Sequence, residues 1–89
     1  MKELRTNVLV RFSRRSGKID TTIEGLGTGV LRLWALQNTT KTKDTIIFDK
    51  EDGDVLWYYT GTEDFPEIES EDLGNIEDYC PGMLLALNE

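Results

Sequence analysis

"DTIIFDKEDGDVLWYYTG", residues 44–61, decides the fold: two arms rich in β-branched and aromatic residues flank Asp52-Gly53, a dipeptide favoured in two-residue hairpin turns. A tight turn sets Phe48 against Trp57 and Ile46 against Tyr59. It also sets Glu51 opposite Asp54, a like-charge pair that disfavours that register, so a longer turn is the alternative. One row of the second arm must face inward. Alternation permits either Trp57 with Tyr59 or Leu56 with Tyr58.

Upstream, "NVLVRFSRRSGKIDTTIEGL" (7–26) reads as a second hairpin, with Val8, Val10 and Phe12 alternating against polar positions. Its turn lies near Ser16-Gly17, and the return strand carries Ile19 and Ile23. "GLGTGVLRLWALQN" (25–38) then breaks at its glycines and continues in strong helix formers. A helix starting at Thr28 or Gly29 places Val30, Leu33, Trp34 and Gln37 on one face. A strand with Leu31, Leu33 and Ala35 on one side is the alternative.

Downstream of Phe65-Pro66, Ser70 can cap a helix whose first turn holds Glu71 and Asp72, both favourable at the positive end of the helix dipole. Leu73, Ile76 and Cys80 would line its inner face, and Pro81-Gly82 would end it. "MLLALNE" (83–89) is apolar enough to return to the core as a short strand or helical turn. The expected fold is a small α+β domain over residues 1–89, a mainly antiparallel sheet of two hairpins with one or two helices in the order ββαββα. Residues 1–6 and 86–89 are expected to be mobile.

The chain has 89 residues, 38% of them hydrophobic, which suits one modest core. Cys80 has no partner for a disulfide, and a chain without histidine offers neither the usual zinc ligands nor the usual catalytic base. No cofactor and no metal are therefore expected. The opening "MKELRTNVLV" lacks the long apolar run of a secretion signal or membrane span, so a cytoplasmic protein is expected. "NTT" at Asn38 matches a glycosylation acceptor, a pattern too short to carry an argument.

Motifs with chemistry in them fail on spacing. Setting Gly53 sixth in a calcium-binding EF-hand loop puts Phe48 first, Lys50 third and Tyr59 twelfth, where ligands should be. "GLGTGV" has Val30 where the dinucleotide pattern needs glycine, and it lacks the lysine of a P-loop. Cys80 reads as a small core residue, and nothing singles out two of the many carboxylates for acid–base work. A non-enzymatic protein is expected.

Charge is distributed unevenly. Residues 1–50 hold ten basic and five acidic side chains, while residues 51–89 hold twelve acidic and none basic, for a net charge of −7. Such segregation points to a charged partner. The candidate surface comprises Glu51, Asp52, Asp54, Glu63, Asp64, Glu67, Glu69, Glu71, Asp72, Glu77 and Asp78, most of them on a helical ridge, with Trp57 and Tyr59 as aromatic anchors if they face outward. It would engage a basic surface, that of a nucleic-acid-binding protein above all, by imitating phosphates as a DNA mimic does. A phage or mobile element acting on a host protein would use such an inhibitor. The alternative is direct nucleic-acid binding through Arg11, Arg14, Arg15 and Lys18 on the first hairpin, or burial of that hairpin against the acidic segment. A solvated acidic face and a salt-sensitive homo-oligomer, basic half to acidic half, complete the readings.

Overall fold

The computed structural model describes residues 6–62, 66–68 and 72–88. Strands β1 (Asn7–Ser13) and β2 (Ile19–Ile23) form the first hairpin, and α1 (Thr28–Asn38) leads to the second, β3 (Lys43–Asp49) with β4 (Val55–Tyr59). A two-residue strand β5 (Glu67–Ile68) and two short helices, α2 (Ile76–Tyr79) and α3 (Met83–Leu87), complete the fold. The sheet is antiparallel throughout, in the order β2-β1-β3-β4-β5. Thus β2 and β3 run parallel on either side of β1, and α1 crosses over between them.

The sheet is covered on both faces. Leu9, Ile47 and Tyr59 pack beneath Leu31 and Ala35 of α1. On the opposite face Val8, Val10, Phe12, Ile46, Phe48 and Val55 pack with Ile76 and Cys80, flanked by Met83, Leu84 and Leu87. Strand β3 is consequently buried at five successive positions, Asp44–Phe48. Burying a side chain the size of Ile47 or Phe48 contributes about 1.5–3 kcal/mol, so this strand holds much of the core's stabilisation. Asn7 Nδ2 donates to Thr28 Oγ1 at 2.7 Å, and Thr39 Oγ1 donates to Ala35 O at 2.7 Å while accepting from the Thr45 hydroxyl at 2.9 Å, fastening both ends of α1 to the sheet.

The α+β order is as expected, with β5 added and the tail folded as α3, so residues 86 and 87 belong to a helix. Of the two turns the sequence allows for the second hairpin, the longer one forms: Gly53 N donates to Asp49 O and Asp49 N to Asp54 O, enclosing residues 50–53. Other expectations are corrected. The register becomes Ile47↔Trp57 and, past a bulge, Phe48↔Val55, which separates Glu51 from Asp54. Tyr59 is no outward anchor, because its ring is fully buried under α1. The inner line of α1 is Leu31 and Ala35, while Val30 and Leu33 point outward. Apolar residues surround this helix, and the small Ala35 selects the side that can approach Tyr59.

The C-terminal helix begins at Ile76, capped by Asn75, rather than at Ser70. Ser70 and Glu71, with Glu63, Asp64 and Glu69, lie outside the described residues. Glu67 belongs to β5, not to a helical ridge.

Gly61 follows β4 where a Cβ would come within 2.3 Å of the Thr40 carbonyl oxygen, whereas Gly29 of α1 has open space around it. Gly61→Ala is therefore expected to destabilise the fold by about 2 kcal/mol, and Gly29→Ala to change it by less than about 1 kcal/mol, in the stabilising direction. Urea unfolding of the two variants checks both signs.

Candidate functional site

The turn of the second hairpin and the start of α2 are joined into one unit. Asn75 Nδ2 donates to Asp52 O at 2.8 Å, Ile76 N to Gly53 O at 2.7 Å and Val55 N to Gly74 O at 2.9 Å. Gly53 is required here twice over, since its φ is +83° and a Cβ would meet Asn75 and Leu84 at 2.7 Å. The result brings Glu51, Asp52 and Asp54 of the turn to the same end of the molecule as Glu77 and Asp78 of α2, with Asp72 leading into it.

Several of these carboxylates hold the backbone that presents them. Asp52 Oδ1 accepts from Asp54 N at 2.9 Å, and Asn75 and Asp78 form a reciprocal cap at the start of α2. Glu77 reaches forward, accepting from Gly82 N at 2.9 Å and Leu84 N at 3.0 Å, and so ties α2 to α3. Those backbone donors hold its carboxyl below the usual carboxylate range. Glu51 and Asp54 are exposed, and no side-chain contact engages their carboxylates among the described residues.

Among the described residues, the cations that form ion pairs do so away from Glu51, Asp52 and Asp54. Arg11 pairs with Asp20 at 2.9 Å, stands over the Trp34 ring at 5.4 Å and donates to Asn38 O at 3.1 Å. Lys43 also pairs with Asp20, and Lys50, though adjacent to the acidic turn, reaches Glu24 at 3.1 Å. Arg14 holds Asp44 at 2.8 Å, and Arg32 holds Glu67 at 2.7 Å. Among the described residues, then, four of the five ion pairs are closed within the first half of the chain. Among the described residues, Arg32–Glu67 is the one ion pair that reaches into the acidic half.

The basic hairpin is correspondingly reduced. Of its four candidate residues, Arg11 and Arg14 serve internal pairs, leaving Arg15 and Lys18 exposed near the turn. Trp57 is half-buried beneath the Arg32 guanidinium, 4.7 Å from its ring, and so forms part of an internal stack.

Two polar clusters escaped the sequence reading. Asp44 is buried and accepts from Arg14 and from the Tyr58 hydroxyl. Burial, then that hydrogen bond, raises the Tyr58 pKa. Its signal was available, since Asp44 shares the strand face of Ile46 and Phe48, where an acid must have partners. In the second cluster, Arg32 donates two hydrogen bonds to Glu67, at 3.0 and 2.7 Å, and Tyr59 OH donates a third. Residues 32 and 67 carry no local signal of their pairing.

Chemistry is sparse around these groups. Among the described residues no three potential ligands gather to hold a metal, and no helix is long and apolar enough to cross a membrane. An open groove of about 310 Å³ runs between Gly17, Ile19, Tyr79, Cys80 and Met83. Burial there raises the Cys80 pKa, and Glu77 adds to the effect, which favours the neutral thiol over a nucleophilic thiolate. Comparison with protein-family models, curated proteins and solved structures finds no match.

The Arg32 guanidinium, and next the Tyr59 hydroxyl, hold the Glu67 carboxyl below its ordinary value, and Arg11 and Lys43 do the same for Asp20. Carboxylates depressed in the folded state contribute stability that is present above the unfolded pKa of about 4 and lost as pH falls through the folded value. The urea midpoint should thus fall below about pH 4. Glu67→Gln should lower stability at neutral pH by about 1 kcal/mol and flatten that acid slope. An unchanged slope would assign the acid sensitivity elsewhere.

Proposed function

We propose that this chain is a non-enzymatic binding protein that engages a basic surface through its acidic end, with Glu51, Asp52, Asp54 and Asp78 facing the partner. One observation carries the reading: among the described residues five cations pair with Asp20, Glu24, Asp44 and Glu67, and none pairs with Glu51, Asp52, Asp54 or Asp78. A surface that served only solubility would have no need to be held so firmly. Here the turn is bonded to α2, and α2 is capped by Asn75 together with Asp78, so the charge is presented in a fixed arrangement. Fixed complementary charge accelerates and selects encounters with basic proteins.

The partner in this proposal is a cytoplasmic nucleic-acid-binding protein, whose phosphate-reading lysines and arginines form a basic surface. The chain would act as a competitive inhibitor, mimicking DNA, in the service of a phage or mobile element aimed at its host. Direct binding of nucleic acid through the first hairpin is less favoured, since Arg11 and Arg14 are engaged within the fold.

Glu51→Lys with Asp54→Lys separates binding from folding, because neither side chain supports the scaffold. The immobilised double variant, compared with wild type in nuclease-treated lysate at moderate salt, is expected to lose at least about tenfold of any specifically retained basic protein. Added duplex DNA should release that protein from the wild-type chain. Equal retention by both chains would refute the acidic-end reading, while loss on Arg15→Ala with Lys18→Ala would move the function to the hairpin.

A further inference from the structure

Lys50 is the cation closest in sequence to the acidic turn, one residue before Glu51, yet its charge is held elsewhere. Its Nζ stands 3.1 Å from Glu24 Oε1. The backbone fixes it at the root of the turn, where Lys50 N donates to Thr6 O at 2.8 Å. Strand order gives the direction in which the side chain leans. Strand β3 ends at Asp49 and β2 at Ile23 with β1 between them, while β4, which Asp54 leads into, flanks β3 on its other side. Adjacent strands lie about 4.8 Å apart, so the pair bridges roughly 10 Å over β1, away from Asp54.

We propose that Glu24 is a positioning residue for the acidic end, a role that rests on the acidic-end reading. By holding Lys50 over β1 it keeps that ammonium from neutralising Glu51, Asp52 and Asp54. Without Glu24, Lys50 stands among Asp49, Glu51, Asp52 and Asp54 with no opposing partner, and an ammonium is drawn to a carboxylate in contact even in water. The other acid on β2 is no substitute. Asp20 is already shared by Arg11 and Lys43. The cost of losing Glu24 is therefore charge at the turn, from which one of three exposed carboxylates is withdrawn.

Folding does not depend on the pair. The Lys50 and Glu24 side chains are 34% and 45% exposed, and ion pairs that wet contribute little to stability. Glu24 can be changed without disturbing what it serves.

A lysine decapeptide supplies a defined cationic probe, and its affinity for the full chain at about 50 mM salt reads the charge of the acidic end. Glu24→Gln is expected to weaken binding about threefold or more, and Lys50→Gln to strengthen it. Placed in the Lys50→Gln background, Glu24→Gln should have an effect at least about twofold smaller than in the wild-type chain. Removal of the Glu24 charge is common to both backgrounds, so the excess isolates the movement of Lys50. The thermal midpoint is expected to stay within about 2 °C throughout. Equal effects of Glu24→Gln in the two backgrounds, or no effect in either, would overturn the role of Glu24. Glu51→Lys with Asp54→Lys, measured with the same probe, keeps the two readings apart. If that variant lowers affinity while Glu24→Gln acts equally in both backgrounds, the acidic end stands and Glu24 has no such role; if it leaves affinity unchanged, both fall.

Discussion

Strand β3 sets the terms for the rest of the molecule, because five successive residues in it, Asp44 to Phe48, are withdrawn from water. A strand buried on both faces needs a cover on each, and the chain supplies α1 for one and the α2–α3 pair for the other. Its neighbours must likewise serve two layers, which is why β1 buries Leu9 on one side and Val8 and Val10 on the other. The central position also demands an answer to Asp44. Arg14 and Tyr58 provide it, and in doing so they join the first hairpin to the second across β3.

Those demands explain where charge is left over. Cations placed around the sheet are drawn to Asp20, Glu24, Asp44 and Glu67, whose carboxylates sit close to buried surface or at strand edges. Asp52 of the β3–β4 turn and Glu77 and Asp78 of α2 contact backbone N–H groups instead, and hydrogen bonds of that kind satisfy an oxygen without neutralising it. The charge asymmetry of the sequence therefore survives folding.

Hairpins and helix types were legible from the sequence, since turn chemistry and β-branched arms are local signals. Residues 28–38 could be read as a helix, but not its inward face: with Val30, Leu31, Leu33, Trp34, Ala35 and Leu36 all apolar, periodicity selects no side. The inner line was settled by tertiary fit at Ala35. The register of the second hairpin turned on the repulsion between Glu51 and Asp54, which was visible, and on the bulge before Val55, which was not. Glu67 illustrates a different limit. Read within a run of acids it looked like one more surface charge, and only the sheet order, bringing β5 beside β4 and within reach of Arg32, makes it an internal partner.

Strand order has a further bearing, on how the chain reaches its native state. Each hairpin closes locally, but the junction between them pairs Asn7 with Asp49 and spans nearly half the sequence. Closing that long loop gives up chain entropy before the central contacts return any stabilisation, so hairpin docking, with α1 crossing between, is the natural barrier. Until β1 meets β3, both strands present apolar edges, and the net negative charge that repels other copies protects the chain during that interval.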